Sequence, residues 1–295
     1  MLNRSRLGLI FGVILVIAVP FSVEAQSYKT KVIATGLARP TGLARFGRKT
    51  LYLTEVPTPG VAMGMNSVDQ LDTNGMLTPL VAGNPQPTNI AVDSAGNQYW
   101  TCKSAGVILK RSVVDGTVTH VLDGLTQPSG ITVDSAGNIF FTEIPDPGMM
   151  GGNNVVVELS GSSQQVLHMG DPAPTEITVS KNGDLYWTCN TAGVILKRSA
   201  TDGQVTRLLG GLDHTTGITI DDKGKNLYFT ELPTPGLSGA NGGTNKVSKL
   251  SLTTMQLTTV HMGDPEPTSI VAEKDGTLYW TCSSAGVIVR AIPKP

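Results

Sequence analysis

One theme recurs along nearly the whole chain, and it limits the fold more than any other feature. Three segments open the series: Pro40-Thr-Gly-Leu running to Leu51-Tyr-Leu-Thr-Glu55, Pro87-Thr-Asn-Ile-Ala-Val to Gln98-Tyr-Trp-Thr-Cys102, and Pro128-Ser-Gly-Ile-Thr-Val to Ile139-Phe-Phe-Thr-Glu143. Three more follow: Pro174-Thr-Glu-Ile-Thr-Val to Leu185-Tyr-Trp-Thr-Cys189, Thr215-Thr-Gly-Ile-Thr-Ile to Leu227-Tyr-Phe-Thr-Glu231, and Pro267-Thr-Ser-Ile-Val-Ala to Leu278-Tyr-Trp-Thr-Cys282. The spacing from Glu55 to Cys282 gives about 45 residues per unit. A unit of that length cannot bury its apolar faces alone and must stack on its neighbours.

Each unit divides into four strands, written a to d from first to last. Strand a is the Ile-Thr-Val run. A turn such as Asp134-Ser-Ala-Gly137-Asn follows, its glycine supplying positive φ. Strand b is the aromatic run, apolar on both faces, as suits a sheet sandwiched between others. Strand c is Val107–Arg111 or its equivalents, and strand d is Val118–Leu122. Four strands per unit and six units predict an all-β, six-bladed β-propeller. The sixth unit stops after strand c, while Lys31-Val-Ile-Ala-Thr-Gly-Leu37 matches the strand d sequence Thr119-His-Val-Leu-Asp-Gly-Leu125. The N-terminal strand is therefore expected to complete the last blade and close the ring. Units also alternate: blades 1, 3 and 5 carry Thr-Glu and a Pro-rich loop, blades 2, 4 and 6 carry Trp-Thr-Cys, so the array is pseudo-threefold.

Ahead of the repeats, Arg4 and Arg6 precede an apolar run from Leu7 to Val19, and Val23-Glu24-Ala25 offers small residues at the −3 and −1 positions of a cut. Residues 1–25 read as a secretory signal peptide and residues 26–295 as the propeller domain, secreted or periplasmic, with no membrane span after cleavage. A retained anchor is the rival, but the run falls short of the ~20 residues a bilayer requires. The formal net charge of −1 removes the electrostatic case for nucleic acid.

Several motifs resemble known propeller families. Leu185-Tyr-Trp-Thr with Ile195, Arg198 and Asp202-Gly resembles the YWTD repeats of lipoprotein receptors, and Gly130-Ile-Thr-Val-Asp-Ser-Ala-Gly-Asn with Asn154-x-Val-x-x-Leu159 resembles NHL repeats. Phe140-Phe-Thr-Glu143 and Tyr228-Phe-Thr-Glu231 are similar to repeats of the streptogramin lyases. These motifs pack blades, and propellers host many activities. The Asp that ends a YWTD motif is Cys or Glu here. Streptogramin lyases use a Glu-x-His pair, which this chain lacks.

Candidate functional residues fall into four groups. Cys102, Cys189 and Cys282 occupy one register, too far apart for a shared metal or disulfide, and are expected as buried free thiols. Glu55, Glu143 and Glu231 share a register at the end of strand b: either ligand acceptors, or carboxylates tied to backbone N–H groups of their own Pro-Gly loops. The residue just before strand a faces the axis in each blade: Gly42, Asn89, Gly130, Glu176, Gly217 and Ser269. Gluconolactonase-type propellers hold a divalent cation at such a mouth. Here only Glu176 and Asn89, with Ser269 a weak third, offer ligands, too few for a tight hard-cation site. No metal and no cofactor are expected, and the glycines are expected to leave room for a small cavity or water column. Among the histidines, His120 is expected to pack within strand d, and the duplicated His168 and His261 to anchor loops. His214 stands alone on the loop entering blade 5, where blades 1 and 3 carry Arg39 and Gln127. His214, Glu176 and Glu231 form the catalytic constellation to test.

Aromatic residues concentrate on strand b, which disfavours sugar stacking, whereas Met63, Met65, Met149 and Met150 lie in long b–c loops suited to adaptable apolar contact or to folding over the ring. The expected role is binding or scaffolding of an extracellular protein or peptide through the loop-rich top face. The alternative is a lyase or hydrolase of the streptogramin-lyase or gluconolactonase kind, with its site at the channel mouth.

Overall fold

The structure, a computed structural model, describes residues 27–48, 50–57, 66–72, 75–145, 153–233 and 244–294. The leader, the four loop methionines and the glycines that end the Pro-rich loops lie outside the described residues. No helix among the described residues is long and apolar enough to cross a membrane.

The strands fall into six four-stranded antiparallel sheets, each built from consecutive strands except the last. Strand β1 is Tyr28–Ala34; blade 1 holds β2 (Pro40–Phe46), β3 (Thr50–Glu55), β4 (Ser67–Asp72) and β5 (Leu77–Ala82). Blade 2 holds β6 (Pro87–Val92), β7 (Gln98–Cys102), β8 (Val107–Arg111) and β9 (Val118–Leu122). Blade 3 holds β10 (Pro128–Val133), β11 (Ile139–Glu143), β12 (Val155–Ser160) and β13 (Ser163–Met169). Blade 4 holds β14 (Pro174–Val179), β15 (Leu185–Cys189), β16 (Val194–Arg198) and β17 (Val205–Gly210). Blade 5 holds β18 (Thr215–Ile220), β19 (Asn226–Glu231), β20 (Lys246–Ser251) and β21 (Leu257–Met262). Blade 6 joins β22 (Pro267–Ala272), β23 (Leu278–Cys282) and β24 (Val287–Pro293) to β1.

Ring closure follows the expected match between the N-terminus and strand d. Val32 pairs with Val289, and the Leu37 N–H donates to the Gly286 carbonyl at 3.0 Å. Leu125 to Gly106 and Leu212 to Gly193 repeat that bond in blades 2 and 4. The chain ends are thus held by ladder bonds that leave no open blade.

The core is divided among the blade interfaces. Each of six apolar clusters joins two neighbouring blades, as when Ala44, Tyr52 and Val68 of blade 1 meet Ile90, Trp100 and Cys102 of blade 2. Trp100, Trp187 and Trp280 are fully buried there. The three cysteines are buried and free. Burial holds the Cys102 thiol up at about 12 and raises Cys189 and Cys282 as well.

Two interfaces carry a polar relay. Trp187 Nε1 donates to Asp171 Oδ2 at 2.7 Å, and Asp171 Oδ1 lies 3.0 Å from His168 Nε2. Trp280, Asp264 and His261 repeat it at 2.6 and 3.2 Å. His168 and His261 do anchor the connection that follows them, acting from within strand d. At the first interface Asn84 and Val81 stand in the equivalent places, and Trp100 Nε1 is buried with no partner among the described residues. Asp171→Ala is expected to cost about 2 kcal/mol, because a buried indole N–H loses its acceptor. Asn84→Ala, where no such bond exists, is expected to cost less than half as much. Equal losses in urea denaturation would contradict this account. His120 departs from expectation: it is exposed on strand d and pairs with Asp123 at 2.6 Å.

Candidate functional site

The geometry of the channel starts from a bulge that every blade repeats. The inner strand pairs with the second strand at its first and fourth residues, with a register shift between them. The strand b threonine fills that gap. Thr54, Thr101, Thr142, Thr188, Thr230 and Thr281 each accept the N–H of the third inner-strand residue at 2.7–3.2 Å. This fixed bond explains the threonine of every Thr-Glu and Thr-Cys motif. A second hydroxyl, at the second inner-strand position, reaches the next blade: Ser129 donates to the Thr175 carbonyl at 3.0 Å and Thr216 to the Pro267 carbonyl at 3.1 Å.

The six axis residues are the third residues of the inner strands rather than residues preceding them. Their glycines do not leave room, contrary to expectation. A Cβ on Gly42 would lie 2.7 Å from Asn89 Cα, one on Gly130 2.7 Å from Glu176 Cα, and one on Gly217 3.0 Å from Ser269 Cα. Glycine in the odd blades lets the neighbouring inner strand approach, so the even blades alone send side chains to the axis.

Those three side chains meet. Glu176 Oε1 accepts Asn89 Nδ2 at 2.7 Å and Ser269 Oγ at 2.6 Å, while Oε2 accepts the Ile218 N–H. Ser269 Oγ in turn accepts the Leu43 N–H at 3.2 Å, and Asn89 Oδ1 its following Ile90 N–H at 2.6 Å. The cluster ties five blades together through the axis. Burial pushes the Glu176 carboxyl up to about 7, against the pull of the Ser269, Asn89 and Ile218 donors. Glu176 and Asn89 line both a funnel of about 180 Å³ above, ringed by Thr41, Thr88, Ser129, Thr175, Thr216 and Thr268, and a chamber of about 180 Å³ below. The cluster is the waist between them. No group of three or more His, Cys, Asp or Glu side chains among the described residues is placed to share a metal ion.

His214 does not join this cluster. It is exposed, at φ 43°, and its carbonyl accepts the Leu232 N–H at 3.2 Å. The same left-handed conformation recurs at Arg39, Gln86, Gln127, Ala173 and Glu266, each lending its carbonyl to the strand b–c loop of its blade. His214 and Arg39 therefore hold a turn whose shape the fold dictates, with side chains projecting at the top rim.

The strand b carboxylates divide. Glu55 Oε2 accepts the Ala38 N–H at 2.5 Å, Glu143 Oε2 the Thr126 N–H at 2.6 Å, and Glu231 Oε2 the Asp213 N–H at 3.3 Å. Each of these bonds goes to the connection entering strand a; the Pro-Gly loops to which the sequence reading tied these carboxylates lie largely outside the described residues. Glu231 also meets Ser248 at 2.9 Å and Lys246 at 3.3 Å, so its carboxylate is committed outside the axis. Desolvation raises Glu55 and its buried neighbour Asp69, and Glu143 likewise. Sequence reasoning missed Arg45, which lines the lower chamber with Asp222. Its signal was an arginine where the other units carry Val92, Val133, Val179, Ile220 and Ala272.

Fold and axis together define a six-bladed β-propeller with a channel closed at its waist by its own side chains. Solved structures of that architecture resemble the chain. A gluconolactonase from Xanthomonas campestris matches with TM-score 0.72 at 17% identity, covering 91% of this chain and 90% of that one. A streptogramin B lyase matches at 0.62 and 19%, covering 90% and 98%. A chain of a nidogen/laminin complex matches at 0.62 and 22%, covering 76% and 81%. At such identities the likeness is one of fold. No family model matches the chain. No curated protein matches it either.

Proposed function

We propose that this protein is an extracytoplasmic binding module, exported by residues 1–25, whose top face engages an extracellular protein or peptide. The observation that carries the reading is the self-satisfied axis. The donors of Asn89, Ser269 and Ile218 are spent on Glu176, and His214 stands apart on the rim. A catalytic site needs acid and base converging on one reacting atom. Five of the six left-handed turns instead hold exposed or half-buried side chains, Arg39, Gln86, Gln127, His214 and Glu266, in one fixed circle. A rigid circle of varied side chains suits recognition of a folded partner. Photo-crosslinkers placed at Arg39, Gln86 and His214 are expected to capture one extracytoplasmic protein, and a crosslinker at Lys181 on the opposite face to capture none. Equal capture from both faces, or none from the top, would overturn the reading.

One observation favours the enzymatic alternative: a buried carboxyl held at about 7 floors an open hydroxyl-lined funnel. Turnover of a lactone or cyclic ester, abolished by Glu176→Gln or His214→Ala with the fold intact, would replace the binding reading with a lyase or hydrolase at the channel mouth.

A further inference from the structure

The sixfold pattern breaks hardest at the bottom of the channel, on the face opposite the rim discussed above. Arg45 leans across that opening from blade 1. Its Nε donates to the Ala272 carbonyl of blade 6 at 3.1 Å, Nη1 to the Gly47 carbonyl at 2.6 Å, and Nη2 reaches Asp222 of blade 5 at 3.5 Å. A guanidinium has five N–H donors, and a tight charge-assisted bond closes to about 2.8 Å. Arg45 therefore keeps donors in hand, and its one counter-ion among the described residues is held loosely.

Three cavities meet at this side chain. Besides the lower chamber, Arg45 lines a bottom-face cleft of about 450 Å³ and a slot of about 20 Å³ beside it. Asp222 lines both the chamber and the cleft, so the Arg45–Asp222 pair forms the sill between them. The cleft also holds Arg48 and Lys274. Arg48 is exposed and makes no ion pair among the described residues. The two remaining acids of the cleft are engaged: Glu273 accepts the Tyr279 hydroxyl at 3.0 Å and Asp275 the Thr277 N–H at 2.9 Å.

The turn that supplies Arg48 lacks the carboxylate that caps several of its equivalents, as the blade 4 turn does with Ser180 at that place. Blades 2 and 3 close the corresponding turn with Asp93 or Asp134, each accepting two backbone N–H groups and an asparagine side chain. Blade 1 has Phe46-Gly-Arg48 there, with no carboxylate. Above the sill, the inner strands are the end strands of their sheets, so their channel-side N–H and C=O groups have no ladder partner.

We propose that the bottom-face cleft binds a small organic anion, its carboxylate or phosphate held by Arg45 and Arg48, with Asp222 displaced as the resident counter-ion. The cleft volume falls within the range of about 300–1,000 Å³ common for small-molecule sites. Hydrogen-bonding substituents on the anion face the channel-side backbone edges of the inner strands, which have no ladder partner. The site is separate from the top rim and does not depend on the binding function assigned there.

Calorimetric titration of the mature protein with citrate, and separately with inorganic phosphate, tests it. Saturable binding of at least one is expected, weakened about tenfold or more in Arg48→Glu and in Arg45→Gln, and unchanged in Arg39→Gln on the top rim. Preference between the two probes identifies the head group. If Arg45→Gln fails to fold, the exposed Arg48→Glu decides alone. Absence of saturable binding by both probes, or binding indifferent to Arg48→Glu, would overturn the proposal and leave Arg45 as a clasp across the seam of blades 6 and 1.

Discussion

Gly130→Ala is expected to destabilise the propeller by about 3 kcal/mol, with the loss appearing as a lower urea midpoint at unchanged slope. An added Cβ would sit 2.7 Å from Glu176 Cα and 2.7 Å from the Thr175 carbonyl oxygen. Both are backbone atoms, so no rotamer change relieves the overlap and the inner strands of blades 3 and 4 must separate. Separation would also draw Glu176 away from Asn89 and Ser269, which reach it from blades 2 and 6. Gly124→Ala provides the comparison. At φ +76° with nothing within 4 Å, it meets only the left-handed backbone penalty of about 1 kcal/mol. If the two substitutions cost the same, close approach at the axis is not what selects glycine in the odd blades.

The stability of the wild-type protein is expected to carry a component of pH dependence that Glu176→Gln removes, beside the smaller contributions of Glu55, Asp69 and Glu143. The folded carboxyl sits at about 7 against the ordinary 4.5 that the unfolded chain shows, chiefly through desolvation. Between these values the folded state binds more protons than the unfolded one. The contribution is therefore complete below about pH 4.5, falls as pH rises through about 7, and is flat beyond. The corresponding difference between wild type and variant is about 3 kcal/mol across that window. Glutamine keeps the acceptor for Asn89 and Ser269 but sets an amide N–H against the Ile218 N–H, so the variant is compared by slope rather than by absolute stability. Denaturation curves from pH 4.5 to 8.5 decide it: parallel profiles, or a wild type that gains stability with pH, would mean the buried carboxyl stays ionised throughout.

Much of the architecture was readable along the chain because each blade repeats the same local demands. The six Pro/Thr-to-Thr segments marked the inner pair of strands, and the likeness of Lys31–Leu37 to Thr119–Leu125 marked the closing strand. The thiols at Cys102, Cys189 and Cys282 were legible as core residues, since strand b is apolar on both faces. The axis was legible only in part. Asn89, Glu176 and Ser269 could be placed at it by register, but their mutual hydrogen bonds join residues 87 and 93 positions apart. His214 looked singular in the sequence because its neighbours in other blades are different residues, yet its backbone does what theirs does.

The sequence by itself determined the number of blades, their strand order and how the ring closes, since periodic apolar patterning acts on each unit and its nearest neighbours alone. Only the tertiary structure decided that three axial side chains seal the waist, that odd-blade glycines serve close approach, and that Arg45 spans the bottom opening. Those outcomes depend on distances between strands that share no local sequence, and a difference of one ångström at the axis separates a hydrogen bond from an open channel.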